Sequence, residues 1–246
     1  MKRLLVLALA VTGILAAGCI VRFGTLYEDA SDTSHFVGLA SNLSTIDVVA
    51  ASVRVDFYDS GNHLLDTEFV SPCTRTLQVK KDSPFEAIAP TGMNANHVQT
   101  TVYPLTLGKK TVADLDVDED DITITTTADE VHIEGTVDVG DDDLYAVHVC
   151  AALFDNDDNV LVVGSDTTSP ADIDEGDSGT FDVAIDTSDI DIDDIDQFEL
   201  WVDALVHNPN DVTAPVIVGP DDVVIENTPT PTRTATPTPT VTPTPP

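Results

Sequence analysis

Residues 48–59, VVAASVRVDFYD, alternate: Val49, Ala51, Val53, Val55 and Phe57 point one way, Arg54 and Asp56 the other. A period of two sustained over a dozen residues is the pattern of a half-buried strand. The chain repeats it. Residues 144–155, LYAVHVCAALFD, place Tyr145, Val147, Val149, Ala151 and Leu153 on one face. Both runs end in a polar turn, Ser60-Gly61 in the first and residues 156–159 in the second.

The echo extends around the two strands. Gly38 answers Gly135, Tyr58 answers Phe154, and Phe85 answers Phe181. A period of about a hundred residues predicts two tandem domains of ordinary size rather than a solenoid of short repeats. In the first domain, strands are expected at 36–42, 48–59, 63–70, 74–79, 85–89 and 97–107, with 112–117 as the last. In the second they are expected at 122–126, 131–139, 144–154, 160–163, 179–185 and 197–206, with a seventh at 216–218 or 223–225. Val, Thr and aromatic residues fill these runs, and Gly, Asn and Pro punctuate them. Helical periodicity is absent beyond the first residues. Seven short strands per unit predict an all-β chain of two tandem immunoglobulin-like or fibronectin-type β-sandwich domains, at 34–117 and 118–227. Trp201, the only tryptophan, is expected to lie against the second core.

A strand ending in aromatic-Asp, preceded by G-x-[AV] and followed by a Gly/Asn turn and a later Phe-containing strand, resembles the FxLYD domain of bacterial and archaeal lipoproteins. The residues are Val55-Asp56-Phe57-Tyr58-Asp59 in the first repeat and Ala151-Ala152-Leu153-Phe154-Asp155 in the second. Both lack the leading Phe, and the second has Phe in place of Tyr. The resemblance covers 34–107 and 130–207. It implies a β-sandwich and carries no catalytic residues with it.

The N-terminus adds an address. Met1-Lys2-Arg3 is followed by a short apolar run, 4–15, and then by Leu15-Ala16-Ala17-Gly18-Cys19. Small residues before a Cys at the end of such a run read as a lipoprotein signal peptide, 1–18, cut before Cys19, whose thiol takes the lipid. Two or three acyl chains anchor a protein stably where one does not. Residues 19–33 are then a linker, and the mature chain is expected outside the membrane. Residues 228–246, TPTPTRTATPTPTVTPTPP, cannot pack, because alternating Pro removes donors and fixes φ; they read as a disordered, extended spacer.

Charge divides the chain. Residues 19–110 carry ten acidic and seven basic side chains, whereas 111–227 carry 34 acidic residues and no Lys or Arg. Nothing there neutralises phosphates, so nucleic acid is excluded as a partner. Adaptation to high salt, divalent-cation binding and a self-repelling, soluble surface are three competing accounts of the excess.

Candidate chemistry is sparse. Asp155, Asp157 and Asn159 have the alternating spacing of a Ca²⁺ loop but lack its Gly and its distal Glu. Asp114-x-Asp116-x-Asp118-x-Asp120 and Asp172-x-Asp174-x-x-Asp177 are weaker versions. Turn capping by Asp is the competing reading for all three. His132, Glu134, His148 and Cys150 take outward strand positions. They would form a Zn²⁺ quartet only if their strands paired as a hairpin, which a sandwich of this type does not favour; otherwise they read as surface residues. Cys73 and Cys150 fall in different domains and read as free thiols, since a disulfide needs Cα atoms within about 7 Å. Asn42-Leu43-Ser44 is an N-glycosylation sequon. No nucleophile elbow, HExxH, P-loop or GxGxxG occurs. The expectation is a non-catalytic cell-surface lipoprotein without a cofactor other than Ca²⁺ at the Asp155 turn, with a cell-wall, S-layer or surface-protein partner. A calcium-dependent adhesion or carbohydrate module and an extracellular hydrolase are the alternatives.

Overall fold

A computed structural model describes residues 18–107, 115–127, 129–206 and 216–218. The chain is all-β. The first half supplies β1 (Cys19–Glu28), β2 (Ser34–Asn42), β3 (Val48–Tyr58), β4 (Leu64–Val70), β5 (Asp82–Ile88) and β6 (His97–Leu107). The second supplies β7 (Leu115–Val117), β8 (Thr123–Thr126), β9 (Glu130–Val139), β10 (Leu144–Phe154), β11 (Val160–Thr167), β12 (Ser178–Asp186), β13 (Gln197–Val206) and β14 (Val216–Val218).

Among the described residues four antiparallel sheets form, two per half. In the first half β1-β2-β5 faces β4-β3-β6; in the second, β12-β9-β7, with β8 also on β9, faces β11-β10-β13-β14. The six strands of the first half recur in the second, with β7 and β8 lying in succession along β9 where β1 lies along β2, and with β14 added at an edge. β3 and β10 are the central strands of corresponding sheets, and β2 and β9 are the central strands of the others. Val53 and Val149 are both fully buried in their own cores, as are Phe85 and Phe181 almost completely. Gly38 pairs with Phe85 and Gly135 with Phe181 in register. At Gly135 the Phe181 ring lies so close across the strand that a Cβ would sit 2.6 Å from its Cζ.

The turns repeat as well. Between β3 and β4, Asp59 Oδ1 accepts the Gly61 and His63 N–H groups, and Asn62 takes φ 63°. Between β10 and β11, Asp155 Oδ1 accepts the Asp157 and Asn159 N–H groups, and Asp158 takes φ 63°. Asp29 does the same for Ser31 and Thr33 between β1 and β2, with Asp32 at φ 61°. Asp opens each turn because a short carboxylate can satisfy two following amides while the fourth residue goes left-handed.

Three expectations change. Residues 19–28 are not linker but β1, an edge strand that pairs with β2 and buries Val21 in the core. The stretch 74–79 is no strand; only Leu77 bridges to Val48, while Thr74 and Thr76 are buried. The strand expected at 112–117 is Leu115–Val117, and it pairs with β9, so it belongs to the second domain. The boundary therefore falls between β6 and β7 instead of after 117. The two tandem domains also stack on one another. The outer face of β1-β2-β5 packs on the outer face of β11-β10-β13, stacking the sheets in four layers. Residues 1–17, 223–225 and the Thr/Pro segment 228–246 lie outside the described residues.

Candidate functional site at the domain junction

The seam is built by the residues that alternate with the core positions. Val37 and Leu39 of β2 face Cys150, Ala152 and Phe154 of β10, Val160 of β11 and Trp201 of β13, all buried. Trp201 is fully buried here, between domains rather than within the second core, and its Nε1 donates to the Asp82 carbonyl at 2.9 Å. A buried indole needs such a partner for its N–H.

One end of the seam holds a charge pair and a sulfur–imidazole cluster. Asp203 of β13 is 1% exposed and accepts from Arg75 twice, from the backbone N–H at 2.6 Å and from Nη1 at 3.0 Å. Arg75 also donates to the Ala146 carbonyl, at a break in the β10–β13 register. Burial pushes the Asp203 carboxyl up, against the pull of Arg75. The second domain has no Lys or Arg of its own, so its most buried carboxylate takes its cation from the first.

Beside this pair, Cys73 and Cys150 form a disulfide across the seam, with Cα atoms 6.4 Å apart. The expectation of free thiols is thereby corrected: the domains stack face to face, which brings the loop before β5 onto the middle of β10. His148 Nε2 lies 3.7 Å from Cys73 Sγ, and burial lowers the affinity of this imidazole for a proton. Among the described residues, Cys73, His148 and Cys150 are the one group of three such side chains whose ligand atoms all lie within 4.8 Å of one another.

The other end opens into a cleft of about 210 Å³ between β1, β2 and β5 on one side and β11 and the loop after β12 on the other. His35 stands in it, stacked on Tyr27 at 5.0 Å and bonded to Glu86 at 2.8 Å and Asp29 at 3.4 Å. Asp186 and Asp189 face it from the second domain. The Glu86 bond, above all, raises the His35 pKa. Hydrogen bonds from Thr33 and Ser31, against some desolvation, hold Asp29 at about 2.

The residues singled out from the sequence fall as follows. Asp155, Asp157 and Asn159 share one turn, but the Asp155 carboxylate is engaged by two backbone N–H groups and by the Asn159 amide at 2.9 Å. Asp118 caps a single 3-10 turn through its own side chain, and Asp172 accepts from the Ala146 N–H; Asp114 lies outside the described residues. The zinc quartet is split, because β9 and β10 belong to different sheets. His132 instead bonds Asp182 and Glu130, while His148 and Cys150 meet Cys73; they are seam residues, not surface ones. Asn42 is fully buried, donating to the Ile46 and Leu77 carbonyls, so the sequon is a turn and not an exposed acceptor. Cys19 opens β1 with 7% of its surface exposed, its thiol toward Asn42 Oδ1 at 3.8 Å, and burial pushes the thiol pKa up. Sequence reasoning missed Arg75, Asp203, Glu199 and His35. The signal available for the seam was the unbroken apolar run 149–154, since a strand apolar at consecutive positions is buried on both faces.

No family model matches the chain, and no curated protein does. Among solved structures, two crystal structures of a glycosyl hydrolase family 2 member from Bacteroides cellulosilyticus share 10% identity over 76% of this chain and 26% and 28% of theirs, each with a TM-score of 0.26. Red sea bream transglutaminase shares 10% identity over 82% of this chain and 32% of its own, with a TM-score of 0.22. The chain thus spans about a quarter to a third of the length of these structures. Likeness at this level carries no inference about activity. No helix among the described residues is long and apolar enough to cross a membrane.

Proposed function

We propose that the chain is a non-catalytic module of the cell surface, held to the outer face of the membrane by a lipid on Cys19, in which two FxLYD-like sandwiches act as one structural or partner-binding unit. The observation that carries this reading is the Cys73–Cys150 disulfide between the domains. Disulfides persist in oxidising compartments and are rare in the reducing cytosol, which agrees with the export signal at 1–18. The charged and sulfur-bearing groups at the junction hold the domains together: Arg75 to Asp203, and Cys73 to Cys150. The partner is a cell-wall, S-layer or surface protein rather than nucleic acid, and the acidic second domain favours a basic contact surface on it.

Lipid attachment has a structural consequence. Cys19 Sγ must leave its place beside Asn42, at a cost of roughly 1 kcal/mol for so small a side chain, while β1 keeps its pairing from Ile20 onward. Cys19→Ser expressed in a lipoprotein-processing host should block processing or release the chain from membranes. Intact mass of the wild type should show an acylated Cys19 as the first residue. If the variant matures and fractionates like wild type, the anchoring reading is wrong.

A further inference from the structure

The three side chains around the disulfide are also a metal-ligand set. With metal–sulfur bonds of about 2.3 Å and metal–nitrogen bonds of about 2.05 Å, two ligands of a tetrahedral ion stand roughly 3.6 Å apart. Cys73 Sγ and His148 Nε2 are 3.7 Å apart. Cys150 Sγ is bonded to Cys73 Sγ in this oxidised structure and lies within 4.8 Å of His148 Nε2, so reduction, which lets the two sulfurs part, leaves all three side chains within reach of one ion. His148 and Cys150 are neighbours on the outer face of β10, a rigid central strand, and Cys73 is fixed by its N–H donating to the Pro84 carbonyl at 2.8 Å.

Charge supports the assignment. Two thiolates and a neutral imidazole carry −2, which a divalent ion cancels, and a neutral assembly is what an apolar seam lined by Trp201, Ala152 and Leu39 tolerates. Sulfur ligands select a soft or borderline ion such as Zn²⁺ over Ca²⁺ or Mg²⁺. We propose that, in the reduced chain, Cys73, His148 and Cys150 form a Zn²⁺-type site that bridges the two domains, and that the disulfide replaces it when the thiols are oxidised. The chemistry balances with a named reductant. A small dithiol gives two electrons and two protons to the Cys73–Cys150 bond and closes to its own disulfide. Zn²⁺ then displaces the two thiol protons to solvent as two Zn–S bonds form, with the His148 lone pair as third ligand and water as fourth. The junction is linked in either state, covalently or through the metal. This inference does not depend on lipid anchoring.

The test uses the full mature chain with Cys19→Ser, so that no third thiol competes. The chain is reduced with dithiothreitol, desalted anaerobically and titrated with Co²⁺ as a spectroscopic stand-in, then with Zn²⁺. The expected result is one equivalent bound with a thiolate-to-cobalt charge-transfer band and tetrahedral d–d bands, both bleached by Zn²⁺. The oxidised chain should show neither band, because its acidic surface binds cobalt only through oxygen. His148→Ala, which leaves the disulfide possible, should weaken the reduced chain's affinity by at least about tenfold. The proposal fails if the reduced, folded chain gives no charge-transfer band, if His148→Ala binds as tightly as the parent, or if Cys73→Ser retains the full spectrum. Circular dichroism of each reduced variant establishes that it is folded. Loss of fold in the parent on reduction would also overturn the proposal, since the site needs the seam intact.

Discussion

Glu199 lies on the outer face of β13 two residues before Trp201, at the seam beside Asp82. Desolvation, reinforced by Asp82 and eased by Lys81, pushes its pKa from 4.5 up to about 7. A carboxyl raised in the folded state favours the protonated form there. Its contribution is fully present below 4.5, falls as the unfolded chain ionises above that value, and is gone once the pH passes about 7. At 1.36 kcal/mol per unit the ceiling on the penalty at high pH is about 3 kcal/mol, and partial solvent contact reduces it to about 2 kcal/mol. Gln has nearly the same shape and never ionises. Glu199→Gln should therefore leave stability unchanged near pH 4 and raise it by about 2 kcal/mol near pH 8. Urea is the denaturant to use, because guanidinium would screen the charges. With a slope of about 2 kcal/mol/M, the midpoint should move up by about 1 M at the higher pH. The difference between variant and parent isolates Glu199 from His35, whose raised pKa also favours acid but is common to both chains. A difference that does not vary with pH, or a Gln variant less stable near pH 8, would refute the placement of Glu199 in a desolvated seam.

Other expectations follow from the same geometry. Arg75→Met strands the Asp203 carboxylate among apolar neighbours and should cost about 3 kcal/mol or more near neutral pH, a loss that Asp203→Asn in the same chain should partly restore in chemical denaturation. Gly135→Ala forces a methyl against the Phe181 ring and should destabilise by about 1–3 kcal/mol, read as a lower melting temperature; an unchanged melt would contradict the Gly135–Phe181 packing. The whole chain, at −34, should be markedly more stable in molar NaCl than at low ionic strength, because screening shortens from about 10 Å at 0.1 M to about 3 Å at 1 M. At constant ionic strength, equal effects of CaCl₂ and MgCl₂, indifferent to Asp155→Asn with Asp157→Asn, would mark that turn as capping alone, whereas a calcium-specific shift lost in the variant would mark a site.

Much of each domain was legible because alternation is a local property. β12 alternates residue for residue, and β9 and the second half of β3 do so nearly, and the Gly135–Phe181 and Gly38–Phe85 pairs were visible as an echo. What was not legible depends on which faces meet. Cys150 and His148 sit at outward positions of β10, and outward reads as solvent until a second sheet covers it. Trp201 was expected inside a domain because a single large aromatic usually is; its strand buries both faces, and the indole took the outer one. The disulfide and the Arg75–Asp203 pair join residues 77 and 128 positions apart, a separation that no periodicity encodes. β1 went unread because the stretch after an anchoring Cys is expected to be spacer, although Val21 alternates into the core.

The two domains share a buried seam, and Trp201 is its natural probe, being the only tryptophan in the chain. Fluorescence quenching of the folded chain by acrylamide tests it most directly. Buried between sheets with its N–H on the Asp82 carbonyl, Trp201 should emit at short wavelength, resist quenching, and become accessible only in the transition that unfolds the sheets. Ready quenching in the folded chain, or exposure of Trp201 in a step that leaves the far-ultraviolet signal of both domains intact, would mean that the domains do not share the seam.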